Sequence, residues 1–265
     1  MIAYFPKPYE DELVYSVITR FYAHSGIPSS CKAKQYIYGQ TTARLDPYGI
    51  GHMKEYVEEA LLRHISREEL VMEHTMFHYV EAFNYNKKRD FYWAVRGKNI
   101  STLYQNKKRH MWYCPLCAKE DAKNYGEAYY HITHQVMTAC PIHKIKLKQV
   151  GIAIGKRQLI ALIPLDDVRD EDFEPATEEE IAFSEYVSDF MKRPFSWNTL
   201  YSKSTLRNKA DANRDMLARY FKGSYLEEGP CNYMTGIFRD LAYAKTDVIL
   251  KLGFLFDIKL DELFL

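Results

Sequence analysis

Cys114-Pro115-Leu116-Cys117 and Cys140-Pro141-Ile142-His143 are separated by 22 residues, and this pairing constrains the chain more than any other feature. A C-x2-C turn lets two thiolates reach one cation while nearby backbone N–H groups stabilise their charge, and a second short turn completes a tetrahedron. Thiolate with imidazole selects zinc over oxygen-loving magnesium or calcium. Cys114, Cys117, Cys140 and His143 are therefore expected to hold one structural Zn2+. Four protein ligands leave no open position for water, so the ion holds structure and activates no nucleophile. His131 and His134 form an H-x-x-H pair without an acid in metalloprotease spacing. They are expected to pack against the finger or bond a backbone carbonyl. Five cysteines are too few and too unevenly placed for a disulfide scaffold. Cys31 and Cys231 are expected to be small buried hydrophobes.

The chain has 265 residues, 47% hydrophobic and 27% charged, which is a globular composition with room for two lobes. It has no apolar run of membrane-spanning length, and its N-terminus lacks the features of a signal peptide. The expected location is the cytoplasm, with no membrane partner. A net charge of +1 hides strong segregation. Asn86 to Arg109 carries eight basic residues against Asp90 alone, whereas Asp166 to Glu180 carries nine acids against Arg169.

Leu13, Val17 and Phe21, widened by Val14 and Ile18, predict an amphipathic helix over Tyr9 to Ser25 that Gly26 ends. Further helices are expected over Ser30 to Tyr38, stopping at Gly39, then Met53 to His64 and Arg67 to His74. Ser66 and Glu69 stand in capping-box spacing. Ile145 to Leu165, punctuated by Gly151 and Gly155, predicts two or three short strands. Thr177 and Glu180 begin another helix, whose apolar face is Ile181, Tyr186, Val187, Phe190 and Met191 and which Pro194 terminates. Asn208 to Tyr220, Tyr233 to Tyr243 and Thr246 to Phe256 continue in helical period.

The expected fold class is mainly α: an N-terminal helical lobe with an inserted CxxC…CxxH zinc finger and short strands, then a C-terminal all-helical lobe. The expected divisions are an N-terminal helical region at 1–110, a zinc-finger region with short strands at 111–165, an acidic linker at 166–180, and a C-terminal helical domain at 181–265. The apolar stretch that runs into Phe264-Leu265 fits either a cut from a longer protein or a compact natural end.

Three ordered blocks carry a family resemblance. Phe5-Pro6-x-Pro8-Tyr9-x-x-Glu12-Leu13-x-x-Ser16-x-x-x-Arg20 with Gly26 is the first, and Glu73-His74-Thr75-Met76-Phe77 with Phe83 is the second. The third runs from Trp112-Tyr113-Cys114 through Tyr125-Gly126-Glu127-Ala128-Tyr129 to Cys140-Pro141-x-His143. Together they resemble the TniQ/TnsD family, the target-site selectors of a class of bacterial DNA transposons. Tyr233 to Phe254, around Ile237-Phe238-Arg239, resembles the later helical portion of longer members. The resemblance implies a non-enzymatic selector that binds double-stranded DNA and recruits an AAA+ ATPase, which brings the transposase. It also implies an alternative: an adaptor between a CRISPR guide-RNA surveillance complex and that ATPase, with little DNA affinity of its own. Glu12, Arg20 and His74, all in the matched blocks, are expected to be buried hydrogen-bonding residues that maintain the fold.

Candidate DNA contacts come from the charge pattern. Lys87, Lys88, Arg89, Lys107, Lys108 and Arg109 lead into the finger, and Lys144 and Lys146 follow it, with Lys148 beyond. Folding the finger would gather two cationic segments on one side, suited to phosphates. Lys203, Arg207, Lys209, Arg214 and Arg219 decorate a later helical stretch compatible with a helix-turn-helix, of which Arg207 and Arg214 are the candidate contacts. No paired-carboxylate motif, P-loop, nucleophile elbow or dinucleotide loop occurs, and no catalytic residue is expected.

Overall fold

The computed structural model describes residues 4–39, 50, 53–97, 111–150, 162–163, 173–197, 203–220, 236–238, 241 and 245–264. The described chain is mainly helical, with one two-stranded antiparallel sheet. It divides into two compact units, Met1–His78 with Lys88–Met191 and Tyr79–Lys87 with Lys192–Leu265. No described helix is long and apolar enough to cross a membrane.

In the first unit, helix α1 (Val14–His24) buries the fourfold stripe Val14, Val17, Ile18 and Phe21. It starts later than the expected Tyr9 because the preceding residues find other backbone partners. Asp11 takes a left-handed turn at φ 57, and Glu12 bridges antiparallel to His131. Leu13 N then donates to Tyr130 O at 2.9 Å, and Ile132 N donates to Asp11 O at 2.8 Å. The opening segment is thereby stitched to the finger. Helix α2 (Ser30–Tyr38) is capped by the Ser29 side chain and ends at Gly39, whose φ of 73 suits a residue without a Cβ.

Helices α3 (Glu55–Leu61), α4 (Arg67–His74), α5 (Phe77–Glu81) and α6 (Lys87–Val95) follow. The Ser66–Glu69 capping box is present at α4. Strand β1 (Trp112–Tyr113) pairs with β2 (Lys148–Gln149) in the register Trp112↔Gln149, and α7 (Pro115–Tyr125) lies between them in sequence. Of the strands expected over 145–165, β2 and isolated bridges at Ala139↔Lys146 and Ile145↔Pro175 are described, and residues 151–161 lie outside the described set. Helix α8 (Glu178–Met191) opens with Thr177 N donating to Glu180 Oε2 at 2.9 Å and buries Phe183, Val187 and Phe190.

Two readings of the acidic region change. Residues 173–176 are not a free linker: Lys146 N donates to Glu174 O at 2.9 Å and Ala176 N to Lys144 O at 3.1 Å, so this stretch satisfies the backbone of the finger's last turn. Helix α8, expected in the C-terminal domain, belongs to the first unit, where Ser184 Oγ accepts from Ala139 N at 3.4 Å.

In the second unit, α9 (Lys203–Ala212) packs on α10 (Arg214–Tyr220) and on α11 (Thr246–Leu255), burying Leu206, Ala210, Leu217, Ile249 and Leu252. A short α12 (Leu260–Leu263) follows, and Phe264 stacks on Phe83 at 5.2 Å. The single helix expected from Asn208 is two, separated at Asn213, whose amide turns back to Lys209 O at 2.8 Å. The expected helix over Tyr233 to Tyr243 falls mostly outside the described residues, with 236–238 helical.

Candidate metal centre

Local chain direction explains how the four ligands meet. Cys114 is the N-cap of α7, Pro115 supplies the preset φ of a first helical residue, and Cys117 lies one turn in. Both sulfurs thus sit at a helix N-terminus, where unpaired N–H groups favour thiolate. The other pair occupies a tight turn. Cys140 N donates to Ile145 O and Lys144 N to Cys140 O, each at 2.8 Å, with Lys144 in the left-handed region at φ 58. His143 N lies 3.5 Å from Cys140 Sγ, a backbone donor to the ligand sulfur.

The four donor atoms lie within 4.8 Å of one another, with the three cysteines buried and His143 half-buried. Cys117 Sγ and Cys140 Sγ are 3.7 Å apart. His143 Nδ1 lies 3.5, 3.4 and 3.6 Å from the sulfurs of Cys114, Cys117 and Cys140. Bonds of about 2.3 Å to sulfur and 2.0–2.1 Å to nitrogen, set at the tetrahedral angle, require edges of roughly 3.8 and 3.6 Å. The donors fit a tetrahedral ion of that size. Hydrogen bonds from Cys114 and Cys117 hold the Cys140 thiol well below its ordinary pKa, and the contacts with Cys114 and Cys140 push Cys117 well above its own. Three thiolates this close repel one another, and a divalent cation would let all three ionise.

Behind the donors, Glu120 Oε1 sits 3.2 Å from His143 Nε2, which turns Nδ1 toward the sulfurs. Glu120 was legible in principle, because it lies one helical turn beyond Cys117, yet only the fold shows which histidine it meets. His134 is buried and hydrogen-bonds to Cys140, and burial lowers its pKa, so it packs against the finger as expected. His131 differs from expectation in its partners. Its nitrogens face two carboxylates, Asp121 Oδ2 at 2.9 Å and Asp11 Oδ2 at 3.3 Å, rather than a backbone carbonyl. Cys31 is exposed, contrary to expectation, and Cys231 lies outside the described residues.

The three matched-block residues form a buried knot. Arg20 donates from Nη1 to Glu12 Oε2 at 2.6 Å and from Nε to Glu127 Oε1 at 2.7 Å, and stacks 4.0 Å over Tyr9. His74 Nδ1 is 2.7 Å from the Glu12 carbonyl oxygen. All three are buried and join α1, α4 and the segment after α7.

The cationic candidates scatter. Lys87 is buried, its ammonium donating to Ala82 O at 2.9 Å and Ser196 O at 2.7 Å, and is withdrawn from any phosphate-facing role. Lys88, Arg89 and Lys144 are exposed, and Lys146 pairs with Glu174. Lys107, Lys108 and Arg109 lie outside the described residues. In the second unit, Arg207 stacks 4.7 Å over Phe238, and Arg214 Nε donates to Asp211 at 2.8 Å.

The TniQ family profile matches residues 3–147, a span that includes α1 through α7 and all four donors of the cluster. The chain is also similar to the transposon Tn7 transposition protein TnsD of Escherichia coli, 25% identical over 154 residues. That alignment covers 52% of this chain and 30% of the relative, so the chain spans under a third of that protein's length. With more than half of its residues inside the family match, the chain belongs to the TniQ family.

Proposed function

We propose that this chain is a non-enzymatic, cytoplasmic target-site selector of a bacterial DNA transposon, which binds double-stranded target DNA and recruits an AAA+ ATPase regulator that brings the transposase. The family match over residues 3–147 is the observation that carries this reading. The similarity to a transposition protein, TnsD, supports it.

One structural zinc ion held by Cys114, Cys117, Cys140 and His143 fits the donor spacings. Cys114, Cys117, Cys140 and His143 would hold such an ion between the start of α7 and the Cys140–His143 turn, beside which Lys144 is exposed, and its part would be structural. The four donors fill a tetrahedron, so the site leaves no position for an attacking water. Phosphate contacts from exposed lysines and arginines position a duplex without reading its sequence.

The test is a duplex gel shift across a salt series, paired with a nuclease-treated pull-down of the ATPase. The expected result is salt-dependent duplex binding that weakens on charge reversal at Lys107, Lys108 and Arg109, with the log–log slope falling by about 0.9 for each phosphate no longer neutralised. Equal binding by wild type and the reversed variant removes that cluster from the interface. No duplex binding, with a pull-down that survives nuclease, selects the guide-RNA adaptor instead.

A further inference from the structure

Helix α6 packs Phe91 edge-on against the buried Phe77 at 5.4 Å. It buries Lys87, Asp90 and Ala94, and leaves Tyr92 50% and Trp93 36% exposed. An amphipathic helix ordinarily buries its large rings, which carry the most apolar area. Here the rings stand in two rows of helical neighbours: Lys88, Tyr92 and Arg96 at fourfold spacing, and Arg89 with Trp93 beside them. The Arg96 guanidinium lies 4.0 Å over the Tyr92 ring, and that of Arg89 lies 4.9 Å over Trp93. Asp90, the only acid of this helix, is buried with a carboxylate oxygen 3.0 Å from Arg89 Nε. The exposed residues of this helix are therefore aromatic and cationic, with no acid among them.

We propose that Lys88, Arg89, Tyr92 and Trp93 on the outer face of α6, with Arg96 in the turn just past its end, bind an unpaired DNA strand, with bases stacked on the two rings and phosphates held by the cations. The identity of the strand as DNA rests on the proposed function, which brings DNA to this protein. A duplex offers phosphates and groove edges but keeps its base faces inside the stack, so exposed rings find partners on unpaired bases. Rings already flanked by guanidinium groups form a platform on which both ring and guanidinium present flat surfaces to a base. Protein interfaces also favour Tyr, Trp and Arg, so what favours a nucleic acid here is the three cations with no acid exposed on the helix, which suits a polyanion.

The experiment uses the full chain and fluorescence anisotropy with labelled oligothymidylate, a duplex, and oligouridylate of equal length. Wild type is expected to bind oligothymidylate, and Y92A/W93A to bind it at least about tenfold more weakly. Y92F/W93F should keep most of the affinity, and duplex binding should not change in either variant. Trp93 emission should be quenched by oligothymidylate in wild type, and the W93F variant should bind while losing that component, which tests stacking without truncating a side chain. Absence of oligothymidylate binding, equal binding by wild type and Y92A/W93A, or preference for oligouridylate overturns the proposal. So does loss of a nuclease-resistant ATPase pull-down in Y92A/W93A with oligothymidylate binding unmoved. Duplex binding without oligothymidylate binding sinks this inference and leaves the selector reading standing. Oligothymidylate binding that depends on the rings, with no duplex binding, does the reverse.

Discussion

Arg20 shows how one side chain can hold distant segments of sequence together. It is buried between Glu12 and Glu127, and removing it leaves the Glu12 carboxyl in the interior without its cation. Arg20→Met is expected to cost about 3–5 kcal/mol in urea unfolding, with part recovered in the Glu12→Gln/Arg20→Met double variant. A loss under about 1 kcal/mol would mean that solvent screens the pair. Glu12, Arg20 and His74 were expected to be buried hydrogen-bonding residues because they lie in the blocks that carry the family resemblance, and all three are buried. Glu127 as the second partner was not legible, because nothing local links it to Arg20. His131 gives a pH signature. The carboxylates of Asp11 and Asp121 outweigh its burial and raise it to about 9 from an ordinary 6.5, with Tyr129 stacked at 4.4 Å and His134 at 4.7 Å. A raised histidine contributes stability that is fully present below about pH 6.5 and lost as pH rises through about 9. The difference in unfolding free energy between wild type and His131→Gln should shrink by on the order of 3 kcal/mol across that window. A pH-independent difference would show that folding leaves the imidazole's pKa unchanged.

At the level of elements, short-range chemistry set most boundaries. Gly26 and Gly39 both adopt positive φ where helices were expected to stop, and Ser66 with Glu69 closes both bonds of its capping box. Ser66→Ala is expected to destabilise by about 1 kcal/mol, read from the denaturant midpoint at unchanged m-value. No change would mean that water caps α4 equally well. The failures share one cause. Tyr9 to Leu13 was expected to open the first helix, but Asp11 and Leu13 pair with Ile132 and Tyr130, and the stretch at 173–176 pairs with the finger's last turn. Both are backbone partnerships between segments far apart in sequence, and side-chain periodicity is silent about them.

For the whole molecule, the finger joins the opening segment, β2 and residues 173–176 within the first unit. An ion in such a site typically supplies about 10–16 kcal/mol, comparable to the stability of a domain. Chelation is therefore expected to raise hydrogen exchange across 9–13 and 111–150 while leaving 203–220 and 245–264 unchanged, as followed by mass spectrometry. Uniform exchange with and without chelator would show that the four donors hold no ion. The two donor pairs were readable from the sequence because each C-x2-C or C-x2-H turn is a local spacing, whereas their meeting in one cluster of four donors is set by the fold. Which charges face water was decided only by tertiary structure. Lys87 is buried and Lys88 beside it is exposed, and α6 turns its tyrosine and tryptophan outward. Neighbours in sequence leave a helix in different directions, and only the packing around it determines which of them the interior receives.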